Sequence, residues 1–189
     1  LALDMTKQRI HGVTTTQGKL VADTVITCAG AWSQGVLAVA PPSKTIKPMR
    51  GQMLLFKAPA GTLTTVIYQQ GVYLIPRLDG HILVGSTVED VGFDKSTDIT
   101  TRNTLAAAAF AILPALRHAE FIQHWSGLRP GSPDNIPTIA RHPEIENLYV
   151  NAGHFRYGVT MAPISADLMT EMVLGQVTSM DVSAYRWQD

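Results

Sequence analysis

Leu148-Tyr149-Val150-Asn151-Ala152-Gly153-His154-Phe155-Arg156-Tyr157-Gly158 is the stretch on which the fold turns. It reads as a short apolar strand over Asn147 to Ala152, a glycine-bounded loop, and a helix from about Val159 to Leu174 that stops at Gly175. A glycine after a strand lets backbone approach a ligand closely. The start of the next helix offers unpaired N–H groups and the positive end of a dipole. Such a place suits a phosphate, a carboxylate or the electron-rich edge of a cofactor ring. It is equally the pattern of an ordinary βα loop whose glycines only turn the chain, and the segment alone leaves both readings open.

A second strand–turn–helix unit lies near the start. Val25 to Cys28 leads through Ala29-Gly30-Ala31-Trp32-Ser33 into a helix expected from Ala31 to Val39, which Pro41-Pro42 stops. Strand ends of this kind are where open α/β sheets bind ligands. Before it, Ile10 to Thr14 and Lys19 to Ala22 read as strands around a Gln17-Gly18 turn. Between the two units the chain changes character. Ile46 to Phe56, Thr64 to Gln69, Val72 to Pro76 and His81 to Gly85 are strand-length runs, and Asp79-Gly80 is a hairpin signal, so antiparallel pairing is expected. Thr100 to Thr104 is positioned to cap a helix reaching about Leu113, Phe121 to Leu128 reads as a strand, and Arg129 to Pro137 as a loop. The expected fold class is α+β. An antiparallel sheet over residues 46–140 is expected to be inserted between pieces of an α/β domain over 1–45 and 141–189.

Composition excludes several functions. The 189 residues carry 15 basic and 15 acidic side chains, a net charge of zero with no basic run, which argues against nucleic-acid binding through a basic face. Apolar residues are 46% and charged ones 16%, which argues against disorder. One cysteine, Cys28, allows no internal disulfide and no cysteine-built zinc site, and fits a reducing, cytoplasmic setting. His118, His124 and His142 have no acidic partners at ligand spacing, and no metal is expected. The longest apolar run, Leu105 to Leu116, contains Pro114 and falls short of the ~20 residues of a membrane span, so it reads as a core helix. The first residues lack the basic-then-apolar order of a signal peptide. They also lack an initiator methionine, so the chain is expected to begin inside a larger protein.

Arg129 stands at the end of an apolar strand, held extended by Pro130. A guanidinium in such a setting suits a carboxylate bidentately, whether of a ligand or of Asp134.

Six segments, in order and spacing, resemble the C-terminal half of the D-amino-acid oxidase superfamily of FAD enzymes, its glycine oxidase branch of thiamine biosynthesis in particular. They are 25–33, 48–53 (Pro-Met-Arg-Gly-Gln-Met), 73–77 (Tyr-Leu-Ile-Pro-Arg), 82–94, 127–134 and 153–156. The resemblance implies FAD as cofactor, with Ala29, Gly30, Ala31 and Trp32 near its dinucleotide part. Gly153, His154, Phe155, Arg156, Tyr157, Gly158, Val159 and Thr160 then hold the flavin ring, largely through backbone, with Gly51 and Gln52 nearby. It implies Arg129 and Tyr73 on the substrate carboxylate, Arg156 as a second basic residue and Val88 as an apolar wall. No side chain is implied as an essential catalytic base. The activity implied is oxidation of glycine or a small amine to an imine and keto acid, with O₂ reduced to H₂O₂. A D-amino acid dehydrogenase-like enzyme and a non-enzymatic piece that binds no FAD are the alternatives. Tyr157 replaces an expected Asn, and Asn135 an expected Gly whose positive φ asparagine tolerates. No Gly-x-Gly-x-x-Gly segment is present, the only glycines before Gly30 being Gly12 and Gly18. Little FAD is therefore expected on this chain alone, and the apolar surface left uncovered favours homo-oligomers.

Overall fold

The computed structural model describes residues 2–38 and 45–187. It is an α+β structure whose contacts divide it into two compact units. One joins the chain's two ends, 1–48 and 129–189, and the other is continuous, 49–128.

The unit built from the ends holds two small sheets. Strands β1 (Ala2–Thr6), β2 (Arg9–Thr15) and β3 (Gly18–Val21) form an antiparallel meander. Its first strand is one the sequence pattern did not reveal. Strands β4 (Val25–Thr27), β10 (Thr138–Arg141) and β11 (Leu148–Ala152) form the second sheet, in the order β10-β11-β4. Here β4 runs parallel to β11, with Thr27 opposite Val150, while β10 runs antiparallel to it. The strand β10 lies in a stretch assigned from sequence to the inserted sheet. Ile10, Leu37, Ile46, Leu148 and Val150 are buried together in one cluster of this unit. Tyr149, on the other face of β11, packs with Ile139, Leu168 and Met169. This is the period-two alternation of a strand buried on both faces.

Asn147, one residue before β11, ties this unit together. Its amide oxygen accepts the Ile10 N–H at 2.8 Å, and its amide nitrogen donates to the carbonyls of Ile10 and Asp23, each at 2.7 Å. A buried amide satisfied on three sides fixes the segments it bridges.

The continuous unit is organised on a five-stranded sheet of order β6-β7-β8-β5-β9. Its strands are β5 (Lys47–Lys57), β6 (Ile67–Gln69), β7 (Val72–Pro76), β8 (His81–Gly85) and β9 (Glu120–Gly131). The hairpin between β7 and β8 turns at Gly80, φ +89°, as the Asp-Gly pair predicts. β6 is shorter than its sequence run, and β9 longer, reaching into the stretch expected as loop. Helix α2 (Ile99–Ile112) packs Leu105 and Ala109 against Leu54, Phe56, Leu74 and Val84 of the sheet. The apolar run is thus buried along one face only. Helix α2 ends before Leu113, and a 3-10 turn over Pro114–His118 follows it. Its N-cap is Asp98, whose carboxylate accepts the Thr101 N–H at 2.8 Å, rather than a residue of the threonine cluster. No helix among the described residues is long and apolar enough to cross a membrane.

Candidate functional site

The parallel pairing of β4 with β11 sends the segments that follow them out of the same edge of the sheet. The first is Ala29-Gly30-Ala31-Trp32, the second Gly153 to Gly158. Two glycine turns at the carboxyl ends of adjacent parallel strands form the position at which open α/β sheets bind ligands. Gly30 has φ +55° and opens a 3-10 turn whose carbonyl accepts the Ser33 hydroxyl at 2.8 Å. Ala31 is buried and Trp32 half exposed. Helix α1 that follows is a single turn, Ser33–Val36, shorter than expected, and Val39 and Pro41-Pro42 lie outside the described residues.

Gly153 is buried with φ +86°, and a Cβ there would stand 3.3 Å from the Ser132 Cβ and 3.5 Å from the Ile46 side chain. Both its conformation and its packing call for glycine. His154 shares a hydrogen bond of 3.0 Å with the buried Ser165 hydroxyl of helix α3 (Gly158–Val173). Burial pushes the His154 imidazole below its usual value, so it is largely uncharged at neutral pH. Phe155 has φ +47°, and its N–H donates to the Pro130 carbonyl at 3.0 Å. The Arg156 guanidinium lies 5.3 Å from the centre of the Phe155 ring, and Arg156 and Tyr157 are exposed. Helix α3 has no side-chain cap at Tyr157, and Val159 and Thr160 in its first turn are exposed. Its leading N–H groups have no intrahelical acceptors. In β11, two residues before Gly153, the Asn151 amide oxygen is buried without a hydrogen-bond partner, while its amide nitrogen donates to the Ser165 carbonyl at 3.3 Å. An uncapped helix start and a glycine cradle fit the electron-rich edge of a flavin ring.

Arg129 and Pro130, still within β9, open the segment that backs this loop. Arg129 is half-buried and engaged. Asp134 and Asn135 turn the chain with φ +55° and +58°, so asparagine does adopt the left-handed conformation expected of it.

The remaining expected residues lie in the continuous unit. Tyr73 sits opposite Gly85 in the β7–β8 pairing, its ring so close that a Cβ at Gly85 would stand 2.9 Å from the phenol oxygen. Val88 is 40% exposed, in the segment after β8. The expected substrate pair is therefore shared out, Tyr73 in this unit and Arg129 in the other. Gly51 is buried, and Gln52 is fully buried with each polar group committed inside its own unit. Its backbone N–H meets the Thr87 hydroxyl at 2.8 Å, and its carbonyl meets the Thr87 N–H at 3.4 Å. Its amide donates to Glu89 at 3.1 Å and Asp98 at 3.0 Å and accepts from the Asp98 N–H at 3.3 Å.

Around Gln52 is a polar knot that sequence reasoning missed. Arg50, 8% exposed, donates to Glu89 Oε2 from Nε at 3.0 Å and from Nη2 at 2.5 Å. Its Nη1 reaches Asp94 at 2.7 Å and the Ser96 carbonyl at 3.0 Å. Burial raises the Glu89 carboxyl, but hydrogen bonds from Thr87, Arg50 and Gln52 outweigh it and hold the group below the usual carboxylate value. Arg-Gly-Gln at 50–52 was legible as a motif, but its partners lie some 39 to 46 residues onward and carry no local signal. Among the described residues no three His, Cys, Asp or Glu side chains gather as a metal site.

Known proteins place the chain. A family model described as FAD dependent oxidoreductase (DAO) matches residues 1–172. Glycine oxidase of Pseudomonas putida is 43% identical over 179 residues, covering 95% of this chain and 49% of that protein. The bifunctional protein ThiO/ThiG of Synechocystis is 33% identical over 182 residues, covering 94% of this chain and 27% of that one. The crystal structure of glycine oxidase from Geobacillus kaustophilus matches with a TM-score of 0.88 at 29% identity, over 93% of this chain and 48% of that one. The chain thus spans about half the length of the glycine oxidases it matches. With both glycine turns on one sheet edge and a family match over nearly all its length, the chain belongs to the DAO family of FAD-dependent oxidoreductases.

Proposed function

We propose that this chain supplies the flavin-ring loop and the amino-acid-binding sheet of an oxidase acting on glycine or a small amine, with H₂O₂ released. The observation that carries the reading is the common exit of 29–32 and 153–158 from the parallel pair β4–β11, beside an uncapped helix start. FAD, when bound, supplies the two-electron oxidation of the amine. Gly153 to Thr160 hold the ring edge through backbone N–H groups, and Ala29 to Trp32 back the dinucleotide portion. Gly51 and Gln52 are assigned to the neighbourhood of the flavin through the resemblance of the 48–53 segment, while the Gln52 polar groups keep their structural task.

Arg129 and Tyr73 take the substrate carboxylate, Arg156 adds positive charge, and Val88 limits the space for the amine side chain. A guanidinium orients a carboxylate bidentately, and alignment of the substrate then supplies much of the rate. No side chain of the chain is assigned as a base. His154, held largely uncharged against Ser165, shapes the loop instead.

The test is peroxide formation with glycine and sarcosine by the FAD-loaded full-length protein that contains this chain. Oxidation of the amine with dye reduction but no peroxide would instead assign a dehydrogenase. The purified 189-residue chain is expected to be colourless; a yellow preparation with one FAD per chain would show that this half binds the cofactor unaided.

A further inference from the structure

We infer that Glu89 is a positioning residue for amino-acid recognition, locking a β-bulge that sets the place of Val88. The inference deepens the reading of Val88 as a pocket wall and rests on it. Pairing of β5 with β8 proceeds in register to the Met53–Gly85 pair, and the next bridge is Arg50–Glu89. Between them β5 advances three residues and the facing segment four. The facing segment therefore carries one residue too many for a regular ladder, the definition of a bulge, and bulges re-aim side chains beside functional sites.

The irregularity is held by hydrogen bonds at Thr87 and Glu89, on either side of Val88. The Thr87 side-chain oxygen accepts the Gln52 N–H at 2.8 Å, standing in for the carbonyl a regular ladder would supply there. The same hydroxyl donates to Glu89, whose carboxylate also receives Arg50 and Gln52. Val88 lies between these two fixed residues and is 40% exposed. One exposed valine is ordinary. One whose backbone is fixed on both sides by a buried guanidinium and a buried amide has a determined position, and Glu89 is the acceptor on which both converge. The Tyr73 ring lies over Gly85, at the start of the same segment. The bulge therefore sets Val88 relative to one of the two proposed carboxylate-binding residues.

The experiment compares Glu89→Ala, Glu89→Gln and Thr87→Val with wild type in the FAD-loaded full-length protein. Three quantities are read: amide exchange over residues 86–90, the Kd of glycolate from the flavin spectrum, and KM against kcat for glycine and sarcosine. For Glu89→Ala, exchange should rise about tenfold, and glycolate Kd and glycine KM should each rise roughly three- to tenfold, with kcat changed less than about twofold. Glu89→Gln, which keeps one acceptor oxygen, should recover most of the loss. Thr87→Val should move the same quantities in the same direction. Unchanged KM and Kd alongside faster exchange would overturn the inference, as would equal losses in kcat and kcat/KM unrescued by glutamine. A wild-type protein that oxidises no amino acid overturns the functional reading and this inference with it. An active wild type with unaffected variants overturns the inference alone.

Discussion

Ser132 donates its hydroxyl to the carbonyl of Gly153 at 2.6 Å. The Phe155 N–H answers with a hydrogen bond to Pro130 at 3.0 Å, so the segment that begins with Arg129 and the glycine loop are laced together from both sides. Ser132→Ala leaves the carbonyl of a buried residue without its donor, at a cost of roughly 1–3 kcal/mol. The urea midpoint should fall accordingly, and amide exchange at His154 and Phe155 should accelerate. An unchanged midpoint would mean that solvent replaces the hydroxyl.

Gly153→Ala meets two obstacles at once. Alanine is strained at φ +86°, and its Cβ would press on Ser132 at 3.3 Å. Strain of this kind costs of order 1–3 kcal/mol. The variant should unfold at lower urea and, in the FAD-loaded protein, release flavin more readily on dilution. Equal flavin retention would separate the loop's conformation from cofactor binding.

Arg129→Ala in the same protein should raise KM for carboxylate-bearing amines by roughly ten- to a hundredfold, the range expected for losing a charge-assisted hydrogen-bonded pair. Amines without a carboxylate should be little affected. Steady-state kinetics with a matched pair of substrates decides this, and an unchanged KM removes Arg129 from the role.

Asp98 gives the continuous unit a pH response of definite sign. Hydrogen bonds from the Gln52 amide and the Thr101 N–H lower its carboxyl to about 2. A carboxyl depressed in the folded state stabilises it above the unfolded value of about 3.9, and that contribution is lost as pH falls towards 2. Glu89 and Asp94, also depressed, act in the same direction. Unfolding measured between pH 5 and pH 2 should show stability declining over this window. Asp98→Asn should flatten part of the decline, and a parallel decline in that variant would assign it to other groups.

Local structure was legible where local chemistry sets it. The strands Val72–Pro76 and His81–Gly85 emerge with the bounds that apolar runs and the Asp-Gly turn suggest. The helix after Tyr157 and its stop at Gly175, φ +67°, follow from the apolar period and the glycine. What escaped was non-local. β4 and β11 were each readable as strands, but nothing in either announces that Leu148 pairs with Val25. The start of α2 was read at the threonines because a hydroxyl cluster is a capping signal. Asp98 displaces them because Gln52, distant in sequence, holds it in place. The loop over 153–158 was legible as a glycine-bounded turn between strand and helix, whereas the Arg50–Glu89 lock was not, since ion-pair partners leave no periodic trace.

The staple at Asn147 has a consequence for how the chain is made. Its partners Ile10 and Asp23 lie 137 and 124 residues earlier. Residues 49–128 are contiguous and form a unit of their own. Strand β4 and the backbone groups of Ile10 and Asp23 are made before that unit yet wait for β11 and Asn147 to be fastened. Long-range pairings of this kind are slow to form and keep strand edges exposed meanwhile. These contacts are thus made in two instalments separated by the time needed to translate the central unit.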